Sequence, residues 1–418
     1  MSKLHKYAFA DLYDMASGIS STKEQAGHGA PFVSFSTVFN NYFLPDELTD
    51  LMDTSEREQE TYSIKKGDIL ITRTSETVDE LAMSCVALKD YPKATYSGFV
   101  KRLRPKTTGI AYDKYMAFFL RSKYFRKVIN SNTIMTLRAS FNEDIFSFLT
   151  LYLPDYEEQV KIGDMLYSME RKISLNKKIN DNLQQQLQLL YDYWFKQYDF
   201  PDEYGKPYRA SGGAMTWNEH LKQNIPINWK EAQLKDIFDV SGKSINREEC
   251  QADAYYTPID VIPKRTITFA GGLPAAEANS SLQLYEENDI LLGAMRVYFH
   301  RVCISAQSGI TRTTTLVLRP KEAGCLGYSY QVLNDDNAIL YATQHSSGTQ
   351  QPYINWNDAL ENYRFAMPSN PKLLYEFSKI SEPLIAEAKN CARETEQLTK
   401  LRDWLLPMLM NGQATVRD

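Results

Sequence analysis

The side chains best suited to acid–base, metal or nucleophilic chemistry are few and scattered in this 418-residue chain. Its five histidines, His5, His28, His220, His300 and His345, share no metal-ligand spacing, and no Ser/His/Asp set follows from their order. The five cysteines, Cys85, Cys250, Cys303, Cys325 and Cys391, are odd in number and contain no C-x-x-C pair, so neither a disulfide framework nor a zinc site is expected. One arrangement imitates a metal-dependent nuclease: Pro154-Asp155 followed by Glu170-Arg171-Lys172. Such acids must converge on one Mg²⁺, whereas on a continuous helix Asp155 and Glu170 lie about 22 Å apart by rise alone. No G-x-x-x-x-G-K-[ST] phosphate cradle and no G-x-G-x-x-G turn occurs. No catalytic or metal centre is expected in the chain.

Arginine and lysine make the stronger pattern. The formal net charge of −5 argues against a nonspecific nucleic-acid coat, so any DNA contact must use local basic surfaces. Between Lys93 and Arg138 stand Lys101, Arg102, Arg104, Lys106, Lys114, Arg121, Lys123, Arg126 and Lys127, opposed only by Asp113 and interleaved with Tyr96, Phe99, Tyr112, Tyr115, Phe118, Phe119, Tyr124 and Phe125. Phosphate neutralisation needs such density. The alternative is one helix from Tyr112 to Ile129 with an aromatic core face and a solvated basic face, and a mixture of the two is expected. A second zone, Ile290 to Lys321, has no acidic residue but carries Arg296, Arg301, Arg312, Arg319 and Lys321 among threonines. Arginine can grip guanine and Asn or Gln adenine bidentately. The expected DNA contacts are Arg73, Lys101, Arg102 and Arg138 in a first domain, and Arg296, Arg312, Gln350, Gln351 and Tyr353 in a second.

The elements that would position these residues come in two copies. Asp11-Leu12-Tyr13-Asp14 followed by Ser17-Gly18 is echoed by Asp236-Ile237-Phe238-Asp239 followed by Ser241-Gly242. Lys66-Gly67-Asp68-Ile69-Leu70-Ile71 is echoed by Glu287-Asn288-Asp289-Ile290-Leu291-Leu292, and Leu103-Arg104-Pro105-Lys106 recurs as Leu318-Arg319-Pro320-Lys321. Each second copy lies roughly 215 to 225 residues later in the same order, which points to duplication.

Each copy ends in a long helical pattern. From about Tyr156 to Phe195, Ile162, Leu166, Met169, Ile173, Ile179, Leu183, Leu187, Leu190 and Trp194 fall mostly three or four apart. From about Lys372 to Met410, Phe377, Ile380, Leu384, Ala388, Cys391, Leu398, Leu401 and Leu405 do the same, with a kink or break expected at Pro383. Helices of some 40 residues are about 60 Å long. The economical solution is an antiparallel coiled coil, with Asn176 and Asn180 either fixing its register or lying on a solvated turn. Before each helix, short β-branched and aromatic runs (Phe32 to Val38, Ile69 to Thr74, Thr313 to Leu318) alternate with turn residues and read as α+β domains.

Leu153-Pro154 with Glu157-Glu158-Gln159, then Lys172-Ile173-Ser174-Leu175-Asn176-Lys177-Lys178-Ile179-Asn180 and Tyr193-Trp194-Phe195, resembles the central conserved region of type I restriction-modification DNA specificity subunits. Leu401-Arg402-Asp403-Trp404-Leu405-Leu406-Pro407-Met408-Leu409-Met410-Asn411-Gly412 is similar to their distal conserved region, although the distal helix, opening Pro368-Ser369-Asn370-Pro371, lacks the Glu-Glu-Gln signature. The loop His345 to Tyr353 resembles a Ser/Gly/Gln-rich segment near the end of their recognition domains, with Asn132 to Asn142 as its counterpart; a helix-capping turn is the alternative.

The resemblance implies two target-recognition domains held apart by helices that also dock two methyltransferase (modification) subunits, through Ile173, Ile179, Leu183, Leu187, Leu398, Leu401 and Leu405. It implies S-adenosylmethionine, ATP and Mg in partner subunits and no cofactor here. Restriction/translocase subunits would join through the complex. In agreement, the Asn/Asp-Pro-Pro-aromatic motif that holds a flipped adenine is missing; the nearest string is Asn370-Pro371-Lys372-Leu373.

The resulting expectation is an α+β chain, a pseudo-two-fold repeat: recognition domain 1–154, central helix 155–198, an ordered linker 199–229, recognition domain 230–368 and distal helix 369–418. Its target would be double-stranded DNA, split into two blocks and asymmetric because the two domains differ. No apolar run is long enough to span a bilayer and no signal peptide is evident, so a cytoplasmic protein is expected. Two rival readings remain: a nuclease with a helical arm, which needs an acidic metal cluster, and a pure coiled-coil scaffold, which leaves the basic β-rich zones without a purpose.

Overall fold

In a computed structural model the described residues are 4–75, 81–132, 139–279, 281–322 and 324–416. They divide into two compact units, Met1–Arg171 with Thr399–Asp418, and Lys172–Leu398.

In the first unit a four-stranded antiparallel sheet runs in the order Tyr13–Ser17, Val100–Pro105, Ile69–Thr72, Ser84–Val86. A second sheet joins Leu51–Met52, Ala26–Val33 and Thr95–Tyr96, and Leu4–Ala8 pairs with Thr150–Pro154. The expected strand from Phe32 to Val38 ends at Val33. There Ser34 accepts the Thr37 amide at 3.3 Å and starts a helix, Phe35–Asn40. The expected single helix from Tyr112 to Ile129 is two, Asp113–Phe119 and Lys123–Asn132, because the Ser122 hydroxyl accepts the Phe125 amide at 3.3 Å and restarts the chain. Its aromatics do fill the core: Tyr115, Phe118, Phe119 and Phe125 are fully buried.

That core is closed by stretches of both long helices, Ile162 and Leu166 from one and Leu409 and Met410 from the other. The Glu-Glu-Gln signature gains a reason here. Gln159 is buried, accepts the Tyr112 amide at 3.0 Å and donates to the carbonyls of Ile110 and Pro154 at 2.8 and 2.9 Å, satisfying loop groups that water cannot reach. Four residues on, a Cβ at Gly163 would stand 2.7 Å from the Tyr115 nitrogen, so glycine lets the helix approach this closely.

The second unit repeats the plan. Its five-stranded sheet runs Phe238–Val240, Thr315–Pro320, Ile290–Gly293, Val302–Ser305, Thr268–Phe269, and Trp229–Gln233 pairs with Arg364–Pro368 as Leu4–Ala8 does with Thr150–Pro154. A second five-stranded sheet contains Leu282–Tyr285 beside Gly309–Arg312. The segment 199–229 is ordered: a hairpin joins Met215–Asn218 to Gln223–Pro226, and Phe200 stacks on Trp229 at 5.6 Å.

The long helices are Tyr156–Tyr191, prolonged by a π turn over Asp192–Lys196, and Lys372–Met410. The second runs unbroken through Pro383. The proline is exposed, as is Lys379, whose carbonyl loses its partner, so water can replace the missing bond. Within the second unit the helices are antiparallel: Asn176 Nδ2 meets the Cys391 carbonyl at 3.4 Å and Glu394 Oε2 at 2.8 Å, while Trp194 packs on Phe377 at 5.7 Å. Asn176 and Asn180 are therefore in the seam, both buried, each with an unpartnered Oδ1. Among the described residues no helix is long and apolar enough to cross a membrane.

Candidate nucleic-acid interface

The repeated motifs build one frame in each unit. Arg104 donates Nε and Nη2 to the two oxygens of Asp68 at 2.8 and 2.7 Å, and Arg319 does the same to Asp289 at 2.8 and 3.0 Å. Each carboxylate also accepts a turn amide at 2.7 Å, from Lys65 and Glu286. The hydrogen bonds that Arg104 donates to Asp68 and Arg319 to Asp289 push the respective guanidinium pKa values up. Lys106 donates to the Ala10 carbonyl at 2.9 Å and Lys321 to that of Lys235 at 2.6 Å, each inside the short helix that directly follows the strand Leu4–Ala8 or Trp229–Gln233. These four cations, which contribute to the basic density of the two zones in the sequence, fasten the sheet.

Two of the expected DNA contacts are spent similarly. Lys101 is buried and donates to Ser17 Oγ at 2.8 Å; burial above all, then the charge of Arg73, holds its pKa down against the pull of Glu143. Arg102 gives Nη1 to the Ser63 carbonyl at 2.6 Å and lies over Tyr96, 5.7 Å from the ring centre. Arg121 sits among the carbonyls of Val38, Phe39, Asn41 and Ser84, and Lys114 bridges to Asp164 at 2.7 Å. The first basic zone is thus largely internal wiring.

Lys93, Lys123 and Lys127 of this zone are exposed, and among the described residues the expected contact at the surface is Arg73, on a tip of the first unit. Arg73 is exposed; its amide donates to the Phe99 carbonyl at 2.8 Å and its carbonyl accepts the Phe141 amide at 2.8 Å. Phe99 is 62% exposed, against buried Tyr96, Tyr115, Phe118, Phe119 and Phe125 from the same stretch. The neighbouring Thr74–Ser75 pairs with Ala139–Ser140. Arg138 lies outside the described residues, as does most of the expected counterpart loop from Asn132 to Asn142.

The second unit has the same crossing at the same point: the Ala294 amide donates to the Thr314 carbonyl at 3.0 Å, and its carbonyl accepts the Ile354 amide at 3.0 Å. Around it the expected residues converge. Arg296 Nη2 is 3.4 Å from the Gln350 carbonyl, and its amide donates to the Pro352 carbonyl at 2.7 Å. Tyr353 pairs with Met295 and Ser347 and gives its hydroxyl to the Thr313 carbonyl at 3.2 Å, next to exposed Arg312. Gln350 and Gln351 are exposed on a loop closed by two Ser347–Tyr353 backbone bonds of 2.9 Å. The helix-capping alternative describes its first two residues, since the His345 amide bonds the Tyr341 carbonyl at 3.0 Å and the Ser346 hydroxyl bonds the Ala342 carbonyl at 2.7 Å. Sequence patterning gave no sign of exposed Tyr298 and Phe299 beside Arg296, because a three-residue 3₁₀ turn carries no periodicity.

The expected docking residues separate by burial. Ile173 and Leu187 are consumed by the chain's own core and cannot meet a partner while the helices are packed; Leu183, Leu398 and Leu405 are partly covered. Ile179 and Leu401 are exposed, as are Leu175, Leu189 and, at 65%, Trp404. The nuclease-like acids do not converge: Asp155 bonds His5 at 2.9 Å and Glu170 bonds Arg402 at 2.6 Å.

Residues 7–185 match the family model for the type I restriction modification DNA specificity domain. The specificity subunit of the type I restriction enzyme MjaIX of Methanocaldococcus jannaschii is 22% identical over 429 residues, covering 98% of this chain and 93% of that protein. The specificity subunit of the type I restriction enzyme HindI of Haemophilus influenzae is 28% identical over 445 residues, covering 91% and 94%. Among solved structures, the S subunit of a type I restriction-modification system from M. genitalium aligns over 98% of this chain and 96% of its own at 15% identity, with a TM-score of 0.57, a likeness of fold. With its duplicated frame, a specificity-domain match over residues 7–185 and these relatives along nearly its whole length, the chain is similar to type I restriction-modification DNA specificity subunits.

Proposed function

We propose that this chain reads a split, asymmetric double-stranded DNA site through two target-recognition domains, 1–154 and 230–368, and docks two modification subunits on its long helices. Methylation with S-adenosylmethionine, and ATP- and Mg-dependent restriction, would belong to those partners and to restriction/translocase subunits joining through them. One observation carries the reading: the two frames share their Arg–Asp fork and their backbone crossing, yet the residues at the crossing differ, exposed Arg73 and Phe99 in one and half-buried Arg296 and Tyr353 with exposed Gln350 in the other. A shared scaffold with different tips is what two unlike half-sites require, since base edges are read by side-chain type. The apolar surface left uncovered on the helices, Ile179, Leu189 and Trp404 among it, supports docking.

Sequencing of methylated genomic DNA from cells co-expressing the chain with its modification subunit tests the reading. One motif of two specified blocks around an unspecified spacer is expected, and absence of any motif overturns it. Binding to a labelled duplex should also fall steeply with salt, as phosphate contacts demand; a pure scaffold would show no such loss.

A further inference from the structure

The turn Arg296–His300 is built in an unusual way. Both Arg296 (φ 51°) and His300 (φ 53°) are left-handed, and the 3₁₀ turn Val297–Phe299 lies between them, closed by bonds from the Phe299 and His300 amides to the Arg296 and Val297 carbonyls at 2.9 Å each. Left-handed backbone is disfavoured for side chains other than glycine's and persists where the surroundings enforce it. Here they do. Val297 is plugged into the core, the His300 ring is buried with Nε2 on Asn334 Oδ1 at 2.8 Å, and the Arg296 amide is tied to Pro352.

With both ends and the first turn residue fixed inward, the two residues between are held outward. Tyr298 is 49% exposed and Phe299 37%, their rings 4.9 Å apart, and Lys264 Nζ stands 4.3 Å over the Phe299 ring. A fixed, exposed aromatic pair is costly in water and calls for a partner. Its surroundings define that partner. Arg296 joins the pair to the Gln350–Gln351 loop, Lys264 is exposed, and the chain from Ile290 to Lys321 has no acid; of the nearby charges, Arg265 is answered by Asp336 at 3.0 Å.

We propose, resting on the reading of the second domain as a DNA reader, that Tyr298 is a specificity-determining contact, its ring packed on a base edge in the groove with Phe299 bracing it. Aromatic rings suit this role because they bring large area with few torsions to freeze and can pack on the thymine methyl.

The test is the Tyr298→Ala variant of the full chain, co-expressed with the modification subunit, with the methylated motif sequenced and duplex affinity measured for the complex. One position in one block should become unspecified, with about tenfold weaker binding, while the other block and the spacer stay as in the wild type. Phe299→Leu, which keeps apolar bulk, should give a smaller change in the same block. Thermal melting of both variants should match the wild type, since neither ring is in the core. A wild-type split motif left intact by Tyr298→Ala, with affinity within about twofold, overturns this assignment alone. A wild type with no split motif overturns the reader itself.

Discussion

Arg319 grips Asp289 at two points, Nε to Oδ1 at 2.8 Å and Nη2 to Oδ2 at 3.0 Å, and Arg104 grips Asp68 in the same way. Asp68 and Asp289 are both fully buried side chains at turns that lead into central strands, so each fork keeps a carboxylate from being stranded away from water.

Arg104→Ala should therefore cost stability, on the order of 3 kcal/mol, by leaving Asp68 unanswered. Arg319→Ala should cost less, roughly 2 kcal/mol, because its guanidinium is nearly half in water. Urea unfolding measures both. The methylated motif should be unchanged at permissive temperature; a relaxed motif in a stable Arg104→Ala protein would return these residues to the DNA surface.

Arg73→Ala and Arg312→Ala should affect opposite blocks of the target. Each removes one exposed cation at a tip, so loss of about 1–3 kcal/mol of discrimination or affinity is expected in one half-site only. Methylome sequencing reads this directly, and equal damage to both blocks by either change would contradict separate readers.

Trp404 offers a large exposed aromatic surface on the distal helix. Trp404→Ala should lower co-purification of the modification subunit by tenfold or more if the ring is an anchor, as truncated interface aromatics typically lose about 2 kcal/mol or more. Full retention of the partner with unaltered melting would exclude it.

Asn176 sits in the helix seam with one amide oxygen unanswered. A buried polar side chain lowers stability in exchange for register. Asn176→Leu should raise the melting temperature by a few degrees, and a fall would show that the Glu394 and Cys391 contacts outweigh the orphaned oxygen.

His300 gives a pH dependence. Burial first, and the nearby Arg265 charge, lower its pKa below the ordinary histidine value, against the raising effects of Asn334 and Asp336. The unfolded chain then binds a proton at a pH where the folded one does not, so this residue's contribution is intact above the unfolded pKa and is lost as pH falls below it. Melting between pH 7.5 and 5.5 should drop more for the wild type than for His300→Asn. Equal slopes would remove His300 from the account.

Much of the frame was legible because its signals are local. Collinear repeats marked the duplication, and apolar spacing marked helices that run Tyr156–Tyr191 and Lys372–Met410. Of the kink or break expected at Pro383 the break does not occur: the helix runs on where Pro383 and Lys379 are exposed, and exposure is a tertiary fact. The tips were harder. Arg104 and Arg319 counted toward the basic zones because their acids lie 36 and 30 residues earlier in sequence and meet them only once the strands pair. The basic stretch hid its one exposed aromatic, Phe99, among rings that belong to the core. Arg296, Gln350 and Tyr353 come together through a loop crossing that no spacing rule encodes.

The paired forks bear on how the chain meets DNA it is not meant to read. A frame that spends four of its cations internally, in a body carrying net negative charge, has fewer left for the phosphate backbone. On the proposed reading, random duplex would be held by fewer contacts than the target and released sooner, so the same bonds that close each sheet would also keep the search short.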